Sequence, residues 1–204
     1  MSQPQHHRAQ HYRAQHPPLP KHEFLAGRLA LDFCNSLSRA DSEMWGPAPR
    51  DRIASPRDFL AWAKRRGIAL DRAPGPAALK ALRRLRLALF GLFDAVGDGT
   101  APRPADLAVL NAMLAEARAA ERLVPGRKGY VIEEHAAGLD GFRHAVARDA
   151  ADLLQGDPRR IKRCPNHECR WLFHDDSRNL SRRWCAMDDC GTRDKVRRFR
   201  RRNG

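Results

Sequence analysis

Apolar residues recur three and four positions apart through most of the chain, and this spacing predicts a set of amphipathic helices. Ser55 and Pro56 provide an N-cap and a first-turn proline for one of them, and Gly67 marks its end. The apolar run at 29–37 favours helix over strand, although so short a run does not settle the choice. The predicted helices cover about residues 29–37, 56–66, 76–97, 104–117 and 139–155.

Polar and glycine-containing stretches separate these helices. Two β-favouring runs, residues 122–124 and 130–132, flank a segment with two glycines and predict a hairpin. Residues 38–54 are expected to form an irregular loop, and the N-terminal stretch is rich in His, Gln, Arg and Pro without a periodic apolar face. The predicted units are a disordered arm, a mainly α first domain with a small β-hairpin (α+β), and a small C-terminal module, at residues 1–22, 23–157 and 158–204.

Positive charge is concentrated in the C-terminal module. The chain has a formal net charge of +14, and residues 159–204 hold 15 of the 38 Lys and Arg but 6 of the 24 Asp and Glu, which gives them +9. Clustered guanidinium groups favour polyanions, because they displace the counterions condensed on nucleic acid phosphates. A membrane surface would attract the same charge, but the basic tail offers only Val196 and Phe199 as an apolar face. The distribution therefore favours a nucleic acid over a membrane.

The sequence predicts neither a membrane-spanning helix nor export. No stretch of 18 apolar residues occurs, and the N-terminus has His and Gln where a secretory signal would need an apolar run. We therefore expect a cytoplasmic protein. In a reducing compartment, closely spaced cysteines are more often metal ligands than disulfides.

Four of the five cysteines form two pairs near the C-terminus. Four residues separate Cys164 from Cys169, four separate Cys185 from Cys190, and fifteen lie between the pairs. Thiolates at this spacing can converge on one Zn²⁺, and two such pairs complete a closed tetrahedron with no position for a catalytic water. Two disulfides, free thiols or an iron–sulfur cluster would use the same residues. Compartment and spacing favour one structural zinc over these alternatives.

The C-terminal module has too few apolar residues to fold on hydrophobic burial alone. Metal ligation must supply the difference, on the order of 10 kcal/mol. We therefore expect chelation to unfold residues 160–202 and to leave the first domain folded. His167 and His174 could each replace a cysteine as ligand, but four cysteines already fill the coordination shell.

The chain that follows Cys190 predicts a basic helix. Arg193, Arg197 and Arg200 share one face of it, and such a row can follow a phosphate backbone or grip guanine edges in a major groove. A solvated basic tail is the alternative. The residues expected to contact DNA are Arg178, Arg182, Arg183, Arg193, Lys195, Arg197, Arg198 and Arg200.

Several segments resemble a known family. Trp171-Leu172-Phe173, the run from Ser177 to Cys185, and Cys190-Gly191-Thr192-Arg193 are similar to the CGNR zinc finger, named for the tetrapeptide at its last ligand. In that family the finger follows an N-terminal domain, called ABATE, with a Leu-Asp-Phe-x-Asn-Thr-like segment, and residues 31–36 (LDFCNS) are similar to it. The resemblance implies a bacterial, stress-linked transcription regulator whose zinc-dependent finger binds double-stranded DNA.

The chain departs from the family at Thr192, where the family has asparagine, and at Ser36, where it has threonine. Threonine can still donate and accept one hydrogen bond near the start of a helix, so we expect the module to fold. A base contact made through the asparagine amide is in question for this chain.

Two other functions stay open at this stage. An RNA-binding protein could stack bases on Trp171 or Trp184, although both residues are better placed as the core of the module. An enzyme would have to use polar residues of the first domain, yet no nucleophile–base spacing or phosphate-binding glycine loop supports catalysis. The available polar candidates are Asp32, Asn35, His135 and His144.

Asp32 and Asn35 could also form a ligand site. They lie three positions apart on a predicted helix and could present a polar spot inside a pocket. Cys34 between them is expected to be a small buried apolar residue with no further role. A small-molecule effector and a second copy of the chain are therefore open as partners of the first domain.

Overall fold

Six helices and three two-stranded antiparallel sheets make up the described part of the chain. A computed structural model describes residues 23–40 and 49–203, so the predicted arm and part of the predicted loop, 41–48, lie outside the described residues. The helices are α1 (Leu29–Asn35), α2 (Pro56–Arg65), α3 (Pro76–Gly97), α4 (Pro104–Ala119), α5 (Gly138–Gln155) and α6 (Thr192–Asn203). The strands are β1 (Leu37–Ser38), β2 (Arg50–Asp51), β3 (Glu121–Gly126), β4 (Gly129–Glu134), β5 (Ile161–Arg163) and β6 (Leu172–His174).

Helices α2 to α5 begin and end within two residues of the predicted bounds. Helix α1 ends at Asn35, two residues before the predicted end, and β2, within the stretch predicted as an irregular loop, pairs with β1. Ser55 caps α2, because its hydroxyl oxygen accepts a hydrogen bond from the Asp58 N–H at 3.1 Å, and Pro56 occupies the first turn. Gly67 follows with φ of +79°, a left-handed conformation that ends the helix. Prolines open α3 and α4 in the same way. The predicted fold class, a mainly α domain with a small hairpin, is confirmed.

The core of the first domain is built around α1. Every residue of α1 after Leu29 is buried, and α5 and α3 pack against it. The Phe33 ring lies 5.4 Å from the Phe142 ring of α5 and 6.0 Å from the Trp62 ring of α2, measured between ring centres. This aromatic cluster fixes α1 between the surrounding helices, so the polar residues of α1 have defined positions.

The C-terminal module shares this core. Strands β5 and β6 pair with each other, and their residues Ile161 and Leu172 are buried in the same apolar cluster as α1 and α3. The His174 N–H also donates a 2.8 Å hydrogen bond to the Ala26 carbonyl oxygen. A second, smaller cluster around Trp171, the cysteines and Trp184 surrounds the cysteine site. The module is therefore docked on the first domain through its strands, which bears on how the two unfold.

No helix among residues 23–40 and 49–203 has the length and apolar character needed to cross a bilayer.

Candidate metal centre

The four paired cysteines converge on one point. Their sulfur atoms all lie within 4.8 Å of one another. Cys185 Sγ is 3.5 Å from Cys169 Sγ and 3.7 Å from Cys190 Sγ. A tetrahedron with Zn–S bonds of 2.3 Å has edges of about 3.8 Å, so these sulfurs are spaced to hold one zinc ion. Three of the cysteines are buried and Cys169 is half-buried, which leaves no room for the open position of a catalytic zinc.

The first ligand pair is held by the turn between β5 and β6. The Cys164 N–H donates to the Trp171 carbonyl oxygen at 2.8 Å, which closes the strand pair around the turn. The Asn166 carbonyl oxygen accepts from the N–H groups of Cys169 and Arg170 at 2.9 and 3.0 Å. Asn166 Nδ2 also lies 3.5 Å from Cys190 Sγ and so offers a donor to a sulfur of the second pair. Sequence reasoning missed this residue, because an isolated asparagine between two cysteines has many possible roles.

The second ligand pair leads directly into α6 through a wide helical turn, Met187–Gly191. A side chain at Gly191 would displace the end of the Met187 side chain and would approach the Trp184 ring to 3.2 Å, so the turn favours glycine at this position. The Thr192 hydroxyl donates to the Met187 carbonyl oxygen at 3.2 Å. Thr192 therefore supports the turn locally, as expected for the position at which the family has asparagine.

Two arginines lie beside the cysteines, in a small cavity that Cys169 also lines. Arg193 lies 2.8 Å from Asp189 and 3.8 Å from Glu168, so it connects the two ligand pairs. Arg52 comes from the first domain, and burial lowers the pKa of its guanidinium to about 10. Four thiolates and one Zn²⁺ leave a net charge of −2, which nearby guanidinium groups balance.

The loop after β6 is organised by Asp175, a fully buried carboxylate. It accepts hydrogen bonds from Lys162 Nζ at 2.5 Å and from the N–H groups of Ser177 and Arg182 at 3.0 Å. Burial disfavours its ionised form, but Lys162 and Ser177 outweigh that effect and hold the pKa of Asp175 below its usual range. Asp175 therefore fixes the path of the chain from β6 to Cys185.

Arg182 was predicted to contact DNA, and the structure gives it another role. Its guanidinium donates to the carbonyl oxygens of His174, Leu25 and Cys185 at 3.0, 2.8 and 2.6 Å, and its Nε donates to that of Trp184 at 3.2 Å. These bonds to backbone acceptors join the module to the first domain and use most of the donors of Arg182. The DNA contact expected of this residue stays a prediction.

Replacing Arg182 by glutamine is expected to destabilise the protein by about 2–3 kcal/mol. The shorter side chain leaves several carbonyl oxygens without a donor, and unsatisfied buried acceptors carry a penalty of this size. Chemical denaturation of the zinc-loaded protein measures the change. The matched control is Arg183→Gln, at the exposed neighbour whose guanidinium lies 5.3 Å from the centre of the Trp184 ring, and its effect should stay within about 1 kcal/mol.

The other basic candidates divide between paired and exposed side chains. Asp194, which is buried at the start of α6, accepts from Arg197 at 2.9 Å and pairs with Arg198, so these two residues anchor the helix. The side chains of Arg178, Arg183, Lys195 and Arg200 are exposed. The apolar residues of α6 are exposed as well: Val196 is 45% and Phe199 58% exposed.

Asp32 and Asn35 both form hydrogen bonds with main-chain groups of other segments. Asn35 Nδ2 donates to the Leu172 carbonyl oxygen at 2.8 Å, and Asn35 Oδ1 accepts from the Leu172 N–H at 3.0 Å. Asp32 accepts from the Ala26 N–H at 3.1 Å and from Arg66 at 3.0 Å, while burial raises its pKa to about 6. Both side chains are used in hydrogen bonds within the protein, and Asn35 also lines a cavity between the first domain and the C-terminal module. The expected ligand site at these two residues stays a prediction.

Ser36 is the last residue of the LDFCNS segment, 31–36, and its hydroxyl forms two further hydrogen bonds. Its hydroxyl donates to the Phe33 carbonyl oxygen at 2.6 Å and accepts from the buried Arg86 at 2.9 Å. Arg86 in turn pairs with Asp51 of β2 at 2.7 Å. The polar residues of the LDFCNS segment therefore connect α1 to the strands and helices around it, and Asn35 extends that connection to the C-terminal module.

The side chains considered for catalysis or base stacking have structural contacts, with the exception of the exposed His135. His144 is buried and shares a 2.9 Å hydrogen bond with Glu134 of β4, and His135 is exposed. Trp171 and Trp184 are each 8% exposed and belong to the apolar cluster around the cysteines. His167 and His174 are not part of the sulfur cluster. In the described part of the chain, none of the four catalytic candidates forms a hydrogen bond with another.

Comparison with known families supports this interpretation of the site. Residues 27–157 match ABATE, described as "Putative stress-induced transcription regulator", and residues 160–203 match the CGNR zinc finger. Neither is an enzyme family. A search of curated proteins found no match. The sulfur cluster and the zinc-finger match together confirm the predicted cofactor. It is one structural zinc, held by Cys164, Cys169, Cys185 and Cys190.

Proposed function

The chain belongs to the ABATE family and carries a CGNR zinc finger, and on that premise we propose that it is a transcription regulator whose C-terminal module binds double-stranded DNA. The zinc fixes the module, and the module presents cations to the phosphate backbone. Because the four thiolates must stay reduced to hold the metal, the proposal places the protein in the cytoplasm.

The observation that carries this proposal is a set of exposed, unpaired cations on a rigid support. Arg178, Arg183, Lys195 and Arg200 are exposed, and none has an ion-pair partner within residues 23–40 and 49–203. Arg178 and Arg183 precede the second ligand pair in the chain, and Lys195 and Arg200 follow it. Cations held in fixed positions bind a polyanion at a smaller entropic cost than cations on a mobile tail.

Single-stranded RNA is the less supported partner. Stacking on bases needs exposed aromatic side chains, and Trp171 and Trp184 are both buried at 8% exposure. The exposed Phe199 on α6 is the remaining aromatic candidate of the module. Competition between duplex DNA and single-stranded RNA of equal length for the same protein separates the two partners.

A regulator also needs an input, and we propose that the first domain supplies it by sensing a small ligand. A cavity of about 200 Å³ lies where the first domain meets the C-terminal module. Asn35, Arg39, Phe90 and Asp94 are among the residues that line it from the first domain, and Arg163 and Trp171 among those from the module. A ligand bound there would contact both units, which is the arrangement that couples ligand binding to the position of the module.

Salt dependence tests DNA binding directly. Duplexes are first selected from a random pool by the zinc-loaded protein, and affinity is then measured by fluorescence anisotropy at rising salt. If about five cations meet phosphates, log affinity falls against log salt with a slope of roughly −4 to −5. Arg200→Gln and Lys195→Gln should each reduce the slope by about one.

The matched control is Arg84→Gln on α3, another exposed cation without a described ion-pair partner, and it should leave the slope unchanged. A slope near zero for the wild-type chain contradicts the proposal. So does enrichment of no duplex, or equal binding by protein from which the zinc has been removed.

A further inference from the structure

The β3–β4 hairpin exposes most of its apolar residues. Leu123, Tyr130, Val131 and Ile132 are 64%, 72%, 46% and 54% exposed. The hairpin is joined to α5 at its base, where Arg148 pairs with Glu121 and Glu134. An antiparallel sheet normally covers one face with a core, and a two-stranded sheet without such cover is only marginally stable in water. A partner that covered these apolar side chains would therefore stabilise the hairpin.

Strand β4 is the exposed half of the hairpin. Its first five residues, 129–133, are all exposed, and the side chains of Tyr130 and Ile132 lie on the opposite face from Val131. The sheet has two strands, so the outer edge of β4 has no strand beside it among the described residues. β4 thus combines a free edge with apolar side chains on both of its faces.

The register shows that β4, and not β3, can accept another strand. Gly126 pairs with Gly129 around a two-residue turn, so this pair is hydrogen-bonded and the next pair, Pro125 with Tyr130, is not. The main-chain N–H and C=O groups of Tyr130 and Ile132 therefore point outward from β4. On β3 the corresponding outward position is Pro125, which has no N–H to donate.

We propose that this edge is a dimer interface, in which β4 of one copy pairs antiparallel with β4 of a second copy across a two-fold axis at Val131. Tyr130 then lies opposite the partner's Ile132, and Ile132 opposite the partner's Tyr130. The outward main-chain groups of both strands are satisfied in one four-stranded sheet. The apolar side chains on each face become neighbours across the axis.

Charge supports a second copy as the occupant. In this register Glu133 of one copy lies beside Lys128 and Arg127 in the turn of the other. None of these three side chains has an ion-pair partner in the described chain. The edge is therefore complementary to itself, with acid and base exchanged by the two-fold axis. Residues 121–134 hold three acidic and three basic residues, so the hairpin has no net positive charge to attract a nucleic acid.

The inference stands apart from DNA binding, although the two would act together. A two-fold dimer would carry two copies of the C-terminal module and would favour DNA sites with two half-sites. Association of the chain alone, without DNA, tests the interface. Failure of DNA binding would leave that result untouched.

Sedimentation equilibrium of the full zinc-loaded chain measures the dimer. The interface is small, so we expect a dissociation constant in roughly the micromolar range. Ile132→Lys places a charge at the centre of the edge and should weaken dimerisation at least tenfold. The control is Leu87→Lys, the same change at a 42%-exposed leucine of α3, and it should have no effect. A wild-type chain that stays monomeric to about 300 µM, or an I132K chain that dimerises normally, overturns the proposal.

A charge exchange tests the register without depending on the stability of the hairpin. Glu133→Lys and Lys128→Glu should each weaken the dimer about three- to tenfold, because each removes one pair twice across the axis. The double variant E133K/K128E restores both pairs with reversed signs and should recover most of the wild-type affinity. A double variant as weak as either single one rules out the proposed pairing.

Discussion

Removal of zinc is expected to unfold the C-terminal module and to destabilise the first domain in the same event. Zinc ligation contributes on the order of 10 kcal/mol to modules of this kind, more than the whole stability of many domains. The module in turn provides Ile161 and Leu172 to the core that contains α1 and α3. When the metal leaves, these apolar side chains lose their fixed position and the first domain loses part of its cover.

The structure therefore changes the expectation drawn from the sequence, in which the first domain survives chelation intact. Hydrogen exchange measured by mass spectrometry on the full chain, with zinc and after complete chelation, follows each segment separately. Amides of the module should lose all protection, and those of α1 should exchange at least tenfold faster than in the zinc-loaded protein. Unchanged protection in α1 and α3 would mean that the two units are independent after all.

A pair of cysteine substitutions provides the matched control for metal removal. Cys185→Ala removes a zinc ligand and should reproduce the effect of chelation. Cys34→Ala also removes a buried thiol, but Cys34 lies within α1 and is not part of the sulfur cluster. Its substitution should cost only about 1 kcal/mol for the small cavity and should keep one zinc per chain by elemental analysis.

The sequence predicts the features that depend on near neighbours in the chain. Helices α2 to α5 follow from apolar spacing together with their caps, prolines and glycines, because those signals lie within or beside each helix. The zinc ligands follow for a similar reason: two short turns, each with a cysteine at either end, bring their own pair of thiolates together. The hairpin follows from its glycines and its two β-favouring runs.

Roles that depend on distant contacts could not be predicted. Arg182 and Arg183 are adjacent and chemically identical, yet one bonds to four backbone carbonyl oxygens and the other is exposed. Arg182 meets carbonyl oxygens of β6 and of the segment before α1, and Arg183 does not. No local sequence pattern predicts where those two segments run. Asn35 and Leu172 likewise meet across 137 positions of the chain. A single sequence gives no sign of such a contact, so Asn35 was assigned to a ligand.

Asn35→Ala is expected to destabilise the protein by about 3–5 kcal/mol, chiefly at the contact between the two units. Asn35 is 3% exposed, and its amide satisfies both main-chain groups of Leu172, the N–H at 3.0 Å and the carbonyl oxygen at 2.8 Å. Each buried main-chain group left without a partner costs about 1–3 kcal/mol. The strand edge that carries Leu172 would then face an apolar methyl group in place of a matched donor and acceptor.

Two measurements distinguish this loss of docking from general damage to the fold. Denaturant unfolding should show the loss in stability, while elemental analysis should still find one zinc per chain, since Asn35 is not part of the sulfur cluster. Hydrogen exchange of the Leu172 amide should accelerate far more than that of amides in the middle of α3. Asn111→Ala, at an exposed asparagine of α4, is the matched control and should change stability by no more than about 0.5 kcal/mol. Equal acceleration everywhere in N35A, or none at Leu172, would show that Asn35 does not hold the C-terminal module to the first domain.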